Sequence, residues 1–348
     1  MSHAHGKSRV VFAASLMTLS ALLVTGCSTP ADDDEGGGAG GNDDVTLTVA
    51  TSQPETTPNF YCGVELLKER LEEADIGITV DLYPASQLGP DTERFAAVQA
   101  GDIDIDLQGA SALSATFEPI GVVDAAYVFN DVDHTFDWID NESSDLFADF
   151  SDATGARIVD GWFFGNRTFT TKDTPIEKPS DLDGLAIRFP DSPQFLANAE
   201  AMGVEPVAVA NEEIYVALQQ GIAVGQENPI VATHSQSFDE ILKVASLNNH
   251  QVGIHWLVVS EKTYEKLSDE QASLLDETLH GIRTENRDCV DEETNKILDE
   301  YRADDSYTVV EEDEVDKDAF IEQAEEFFTG YYDGERLELY EAIRGMVN

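Results

Sequence analysis

Segments with the spacing of β-strands alternate with segments with the spacing of α-helices along most of this chain, and no other feature limits the possible folds as strongly. Strand-like runs lie at 45–50, 78–84 and 156–164, and helical runs lie between them at 63–74 and 90–101. This order is typical of βα units, whose helices cover a largely parallel sheet. At 348 residues, the chain is long enough for about two domains. We therefore predict an α/β fold of two lobes with a ligand cleft between them.

The longest helical pattern, at 268–303, starts with the Ser-x-x-Gln capping box at Ser268 and is interrupted only by Gly281. A helix of this length measures roughly 50 Å, which is longer than one lobe of this size. We expect this helix to span both lobes as a brace.

The charge of the chain excludes some partners. It has 20 Lys and Arg against 69 Asp and Glu, for a formal net charge of −49. Nucleic acid is not a predicted partner, because phosphate binding needs a cationic surface. Flat docking on anionic lipid is disfavoured for the same reason. The excess indicates a solvated acidic surface, suited to high salt, where charge repulsion is screened.

The first 27 residues are typical of an export signal. A basic start precedes an apolar run at 10–24, which is too short to span a membrane. The run leads into "LVTGC", which resembles the bacterial lipobox, so Cys27 is predicted to be lipidated and to become the mature N-terminus. The alternative is an ordinary signal peptide that contains a cysteine. Residues 28–44 are rich in Gly and Asp and are predicted to form a flexible tether. Together these features predict a globular body outside the cell, anchored to the cell membrane by a lipid.

Export makes disulfides possible. With Cys27 lipidated, Cys62 and Cys289 remain, and they form either one bridge or two isolated buried thiols. The sequence contains no CxxC, His-rich tract or HExxH motif, so it predicts no metal site, dithiol redox site or cofactor. It also lacks a GxSxG elbow and a Walker-A loop, so no catalytic activity is predicted.

Three short stretches place polar groups at strand ends beside Gly or Pro, where side chains face the cleft in α/β folds. They are "GWFFGNRTF" with Arg167, "GLAIRFP" with Arg188, and "GQENP" with Asn228. A guanidinium fork matches the two oxygens of a carboxylate, and an amide can donate a further hydrogen bond. These residues therefore predict a site for a small acid.

A structural explanation of the same residues stays open. Each arginine can instead pair with a structural aspartate, such as Asp160, Asp181 or Asp183, and Asn228 is also a common turn residue before proline. Trp162 either lines the pocket or packs in the core.

Five stretches, in this order, carry a resemblance to a known family: "ASQLGPDTERFAAVQAGDIDI", "GNRTF", "DLDGLAIRFP", "MGVEPVAVANEEIYVALQQG" and "GQENP". Over nearly all of residues 45–330, the chain resembles the extracytoplasmic solute receptors of TRAP transporters, the DctP-type binding proteins. The resemblance implies a two-lobed periplasmic-binding-protein-like fold, a long helix under both lobes, and capture of an organic acid for an ion-driven transporter.

The resemblance also implies roles for single residues. Arg188 matches the principal carboxylate-binding arginine of the family, Arg167 matches its second arginine, and Asn228 matches the amide that faces the ligand. Asn211 stands where the family often has an aromatic residue over the ligand, and by its position it is also predicted to cap a helix at 211–221. The body of the ligand is therefore not implied.

We predict that lobe I comprises 45–164 and 253–292, and that lobe II comprises 165–252 and 293–348. The predicted function is extracytoplasmic binding of a small carboxylate, with dicarboxylates among the candidates, and its delivery to TRAP membrane subunits. Two alternatives are a receptor for an ATP-driven importer and an exported hydrolase that uses paired acids.

Overall fold

The computed structural model describes residues 44–346. The predicted signal peptide, Cys27 and nearly all of the tether lie outside these residues. The strands of the described range are β1 (Val45–Thr51), β2 (Ile78–Tyr83), β3 (Ile105–Gln108), β4 (Ala156–Thr171), β5 (Ala186–Phe189), β6 (Glu205–Ala208), β7 (Gly225–Asn228), β8 (Val244–Ser260) and β9 (Thr308–Val310). They form one mixed sheet in the order β2-β1-β3-β8-β4-β7-β5-β6, with β9 also paired to β8.

Helices cover this sheet, which confirms the α/β class. The α-helices of residues 44–346 are α1 (Glu65–Glu73), α2 (Asp91–Ala100), α3 (Ala110–Leu113), α4 (Val132–Asn141), α5 (Ser144–Thr154), α6 (Pro193–Ala201), α7 (Ile214–Gln220), α8 (Ile230–Ser235), α9 (Glu261–Tyr264), α10 (Asp269–Ala303), α11 (Lys317–Tyr331) and α12 (Gly334–Gly345). Shorter π and 3₁₀ segments lie at Phe60–Val64, Glu118–Asp124, Pro179–Leu182, Asn211–Glu213, Phe238–Glu240 and Glu312–Glu314. Within this range, no helix has both the length and the apolar character that crossing a membrane requires.

The long antiparallel pair of β4 and β8 connects two smaller groups of parallel strands. β3 joins β8 at residues 256–259, next to β1 and β2. β7 joins β4 at residues 168–171, next to β5 and β6. These two places lie at opposite ends of the β4–β8 pair. The predicted lobe boundaries stay a prediction, but the sheet has two parallel halves that share β4 and β8.

Two glycines allow β4 and β8 to approach each other closely between these halves. The pairing register shifts between Phe163 and Gly165, where Gly165 has a φ of +117°. A Cβ atom on Gly253 would lie 2.6 Å from the carbonyl oxygen of Gly165. A side chain at 253 would therefore push the strands apart, and one at 165 would be strained.

Helix α10 runs for 35 residues from the capping box at Ser268, as predicted. Its first half contributes Leu275 and Leu279 to a core shared with α1 and β1. Its second half contributes Ile297 and Tyr301 to a second core that includes residues of β5 and α11. The helix thus packs beside both halves of the sheet. A disulfide between Cys62 and Cys289, with Cα atoms 6.5 Å apart, joins it to the π segment at 60–64.

Candidate functional site

A cavity of ≈ 350 Å³ lies where parallel strands of both halves of the sheet end. Its wall includes Ser52 and Gln53 after β1, Gly109 after β3, Pro190 after β5, and Asn228 at the end of β7. The carboxyl ends of parallel strands are where ligands bind in α/β folds, because the loops that follow leave a crevice there. The position of this cavity agrees with a binding site.

Arg188, on β5, lines the cavity and is only 2% exposed. Its Nε donates a hydrogen bond to the carbonyl oxygen of Val209 at 2.8 Å. The guanidinium forms no ion pair with any residue in the range 44–346. Burial lowers its pKa to about 9, although the charge of Glu227 opposes this shift. The side chain is therefore a buried cation on the wall of a cavity, which a bound anion would neutralise.

Arg167, on β4, also lines the cavity, but its charge is matched within the protein. Its Nε and Nη2 donate to the two carboxylate oxygens of Glu227 at 2.6 and 2.7 Å, and Nη2 also donates to the backbone oxygen of Glu227 at 2.8 Å. The guanidinium lies over the ring of Phe195, 4.7 Å from its centre. Arg167 thus pairs with a glutamate and not with an aspartate as in the structural alternative.

Glu227 is fully buried on β7, behind the cavity wall. Burial alone would raise its pKa, but Arg167 and the hydrogen bond from His250 outweigh burial and lower it. The Nε2 atom of His250 lies 3.2 Å from Oε2 of Glu227, and burial lowers the pKa of this histidine. In the ion pair of Arg167 and Glu227, the two opposite charges therefore cancel.

The two asparagines that were predicted to contact the ligand, Asn228 and Asn211, also line the cavity. Asn228 donates from Nδ2 to Oε1 of Gln226 at 2.6 Å. Asn211 donates from Nδ2 to Oε1 of Gln236 at 3.1 Å. The prediction that Asn211 caps a helix was wrong, because α7 begins only at Ile214, after a 3₁₀ turn. The side chain of Asn211 is instead tied to the segment that follows α8.

The structure does not bring Trp162 to the cavity. Its side chain is fully buried in the core under α10, and its Nε1 donates to the carbonyl oxygen of Leu279 at 2.9 Å. In a regular strand, Phe164 would lie on the same side of β4 as Trp162. The pairing register shifts between Phe163 and Gly165, however, and Phe164 lines the cavity. There its ring stacks on His255 with the ring centres 4.1 Å apart.

Several polar residues of the wall were not predicted. Asp124, at the end of a 3₁₀ segment, accepts a hydrogen bond from the backbone N–H of Ser111 at 2.8 Å and one from Nε2 of Gln251 at 3.1 Å. Burial raises the pKa of Asp124 to about 7, against the opposing hydrogen bond from Ser111. Burial also lowers the pKa of His255 to about 3, so this imidazole is neutral. Asp124 ends a 3₁₀ segment, Ser111 lies on the short helix α3, and Gln251 lies in the middle of β8, where the sequence shows no motif.

Among the side chains of residues 44–346, no group of three His, Cys, Asp or Glu residues is arranged to hold a metal ion. The wall of the cavity offers hydrogen-bond donors, hydrogen-bond acceptors and one unmatched positive charge. This arrangement suits reversible binding of a small anion.

Comparison with known proteins adds an independent line of support. The family model described as bacterial extracellular solute-binding protein, family 7 (DctP), matches residues 49–334. The chain is 29% identical over 224 residues to the sialic acid-binding periplasmic protein SiaP of Vibrio cholerae, which covers 64% of this chain and 70% of that protein. It is 27% identical over 235 residues to the 2,3-diketo-L-gulonate-binding periplasmic protein YiaO of Escherichia coli, which covers 68% of this chain and 71% of that protein.

A crystal structure of a TRAP periplasmic solute-binding protein from Bordetella is similar to this fold. It has a TM-score of 0.80 and 26% sequence identity, and the alignment covers 88% of this chain and all of that one.

Proposed function

The chain belongs to family 7 of the bacterial extracellular solute-binding proteins, and on this premise we propose that it captures a small organic acid in the cavity at the ends of β1, β3, β5 and β7. The acid is then passed to the membrane subunits of a TRAP-type, ion-driven transporter. The observation that carries the proposal is the unmatched charge of Arg188 on the cavity wall. The names of SiaP and YiaO, which specify sialic acid and 2,3-diketo-L-gulonate, support an acid as the ligand.

Each polar group on the wall has a role in this proposal. Arg188 binds the carboxylate with its two terminal nitrogens, which form no hydrogen bond to residues 44–346. Arg167 contributes a further donor, held in position by Glu227. Asn228 and Asn211 contribute polar contacts to the rest of the ligand.

A ligand in this cavity touches both predicted lobes, 45–164 with 253–292 and 165–252 with 293–348. It therefore favours a closed arrangement of the lobes, because only that arrangement lets both sides contact the acid. A hydrogen bond from Ser86 Oγ to Glu212 Oε1, at 2.8 Å, already connects the loop after β2 with the turn before α7. This contact supports closure about the cavity.

We also propose that Cys27 carries a lipid and that residues 28–44 tether the receptor outside the cell membrane. The disulfide between Cys62 and Cys289 suits such an oxidising compartment. Labelling of growing cells with a radioactive fatty acid should mark the wild-type protein, and Cys27→Ser should abolish the label. Equal labelling of both proteins would contradict the anchor.

A thermal-shift screen against mono-, di-, keto and sugar acids tests the binding function. A ligand that binds only the folded protein raises its melting temperature, so at least one acid should do so while its uncharged amide does not. NMR of the acid after long incubation should recover it unchanged, because we propose binding without turnover. If the melting temperature is unaffected by every acid in the screen, the proposed function is wrong.

A further inference from the structure

As formed by residues 44–346, the cavity wall contains two arginines but only one unmatched positive charge. The guanidinium of Arg167 is neutralised by the carboxylate of Glu227 through two hydrogen bonds, of 2.6 and 2.7 Å, and it also donates to the backbone oxygen of Glu227 at 2.8 Å. Among residues 44–346, Arg188 donates only to the backbone carbonyl of Val209. His255 adds no positive charge, since burial lowers its pKa to about 3. The wall can therefore neutralise one carboxylate of a ligand.

The same wall carries four acidic residues. Asp91 pairs with Arg94, while Glu212 accepts a hydrogen bond from Ser86. Asp124 is held by two hydrogen bonds and forms no ion pair with residues 44–346, and Asp191 is exposed at the rim. A second carboxylate on the ligand would face these acidic groups without a free cation. Repulsion between like charges would weaken its binding.

Two buried polar atoms of the wall have no hydrogen-bond partner among residues 44–346. They are Oε1 of Gln53 and Nδ1 of His255, and their residues are only 4% and 6% exposed. Buried polar groups are nearly always hydrogen-bonded, so a ligand that supplies partners for these two atoms should bind more tightly than one that does not. Hydroxyl groups supply such partners, because each can donate and accept, whereas an alkyl chain would leave both atoms unpaired.

From these contacts we propose, on the basis of the acid-binding function inferred above, that the cavity selects acids with one carboxylate and a hydroxyl-rich body, and that Asp124 is the residue that rejects a second carboxylate. The carboxylate binds Arg188, and the hydroxyl groups bind Gln53, His255 and Asp124. An aldonic acid has this chemistry. An aldaric acid, which has a carboxylate at each end, and an alkyl acid do not.

Isothermal titration calorimetry with matched acids tests this selectivity. The six-carbon set is D-gluconate, D-glucarate and hexanoate, and the four-carbon set is D-erythronate, meso-tartrate and butanoate. Within the set that binds most tightly, the aldonate should bind at least about tenfold more tightly than the aldarate, because of like-charge repulsion. It should exceed the alkyl acid by a similar factor, because the alkyl acid leaves buried polar atoms unpaired.

The substitution Asp124→Asn tests the role of that side chain with little change of shape. At about pH 8, where Asp124 is ionised, it should reduce the preference for the aldonate over the aldarate by about tenfold, since it removes the repelling charge. The exposed Asp102 is a matched control, and Asp102→Asn should leave the preference unchanged.

Each other outcome overturns the inference. The inference is wrong if an aldarate or an alkyl acid binds the wild-type protein as tightly as the aldonate. It is also wrong if Asp124→Asn leaves the preference for the aldonate over the aldarate unchanged. A different kind of acid from the thermal-shift screen, bound while no aldonate binds, would also overturn it. In all these cases an acid still binds, so the proposed function stands; it fails only if no acid binds at all.

Discussion

Two buried arginines of this protein have opposite surroundings, and the contrast separates what serves the fold from what serves a ligand. Arg94, on α2, is 0% exposed, and its Nε lies 3.1 and 3.2 Å from the two carboxylate oxygens of Asp106. Its Nη2 donates to Asp91 at 2.7 Å. Arg188 is 2% exposed, but within the described part of the chain it has a single hydrogen bond, to a carbonyl oxygen. The charge of Arg94 is matched inside the protein, and the charge of Arg188 is not.

The pKa values of the two arginines follow from this difference. Burial would lower the pKa of Arg94, but the charges of Asp106 and Asp91 outweigh burial and leave it raised. For Arg188, burial outweighs the attraction of Glu227 and lowers the pKa to about 9. Arg188 therefore remains charged near neutral pH, at a free-energy cost that a bound carboxylate offsets.

The largest expected effect is on stability at the matched arginine. Arg94→Met should lower the free energy of unfolding by about 3–5 kcal/mol, because Asp106 is left buried without its cation. Arg188→Met should leave it unchanged or higher, because the substitution removes an unmatched buried charge. Chemical denaturation of both variants measures the difference. An equal loss of stability in the two would contradict the contrast.

The next effect is on binding at the unmatched arginine. Arg188→Ala should weaken binding of the acid by roughly 2–5 kcal/mol, since the carboxylate loses its cation. Arg188→Lys should also bind weakly, because an ammonium cannot form two parallel hydrogen bonds to a carboxylate. Calorimetry measures both affinities. Arg302→Met, at the exposed end of α10, is the control, and unchanged affinity in Arg188→Ala would contradict the assignment.

A third substitution leaves Arg167 without its partner charge. Glu227→Gln removes the partner charge of Arg167, so the cavity gains a second unmatched cation. The affinity for dicarboxylates relative to monocarboxylates should then rise by about tenfold. Calorimetry with one acid of each kind gives this ratio. The ratio should stay constant in Glu200→Gln, at an exposed position of α6, and a constant ratio in Glu227→Gln would show that Arg167 does not sense the ligand.

The smallest effect is a pH dependence at Asp124, whose pKa is raised to about 7 by burial. Ionisation above that pH adds negative charge to the wall, so affinity for a monocarboxylate should fall as the pH rises, by a factor of about ten or less. The wild-type protein should show this fall between about pH 5.5 and about pH 8, below the pKa of Arg188, and Asp124→Asn should not.

The contribution of Asp124 to stability should change with pH in the same direction as the affinity for the acid. The folded protein keeps the proton of Asp124 up to about pH 7, whereas the unfolded chain releases it near pH 4. This carboxyl group therefore stabilises the fold relatively more at low pH, and that contribution is lost as the pH rises towards 7. The difference in unfolding free energy between the wild-type protein and Asp124→Asn isolates the effect. A difference that does not vary with pH would contradict the raised pKa.

The sequence predicts elements well where the signals are local. The helix predicted at 268–303 spans Asp269–Ala303 in the structure, because its capping box and its period are contained in the segment itself. By contrast, the strand predicted at 156–164 is much longer in the structure, where β4 continues past Gly165 to Thr171. Glycine is typical of strand ends, and only the pairing with the partner strand reveals that the strand continues past it.

The residues of the candidate site are also predicted well only where the sequence signal is local. Arg188 and Asn228 lie on the cavity near the ends of β5 and β7, as the motifs at strand ends indicate, whereas Arg167 reaches the cavity from the interior of β4. The partner of Arg167 is Glu227, which is separated from it by 60 positions, so no local spacing identifies the pair. Asp124 reaches the wall through the packing of a 3₁₀ segment, which has no sequence signature.

The central claim is that the charge of Arg188 is matched only when a carboxylate is bound. The most direct test is calorimetry of the wild-type protein and of Arg188→Met with the tightest-binding acid and with its carboxamide. The wild-type protein should prefer the acid by at least about 100-fold, and Arg188→Met should bind the two nearly equally. If Arg188→Met retains the full preference for the acid, another group neutralises the carboxylate and the claim is wrong.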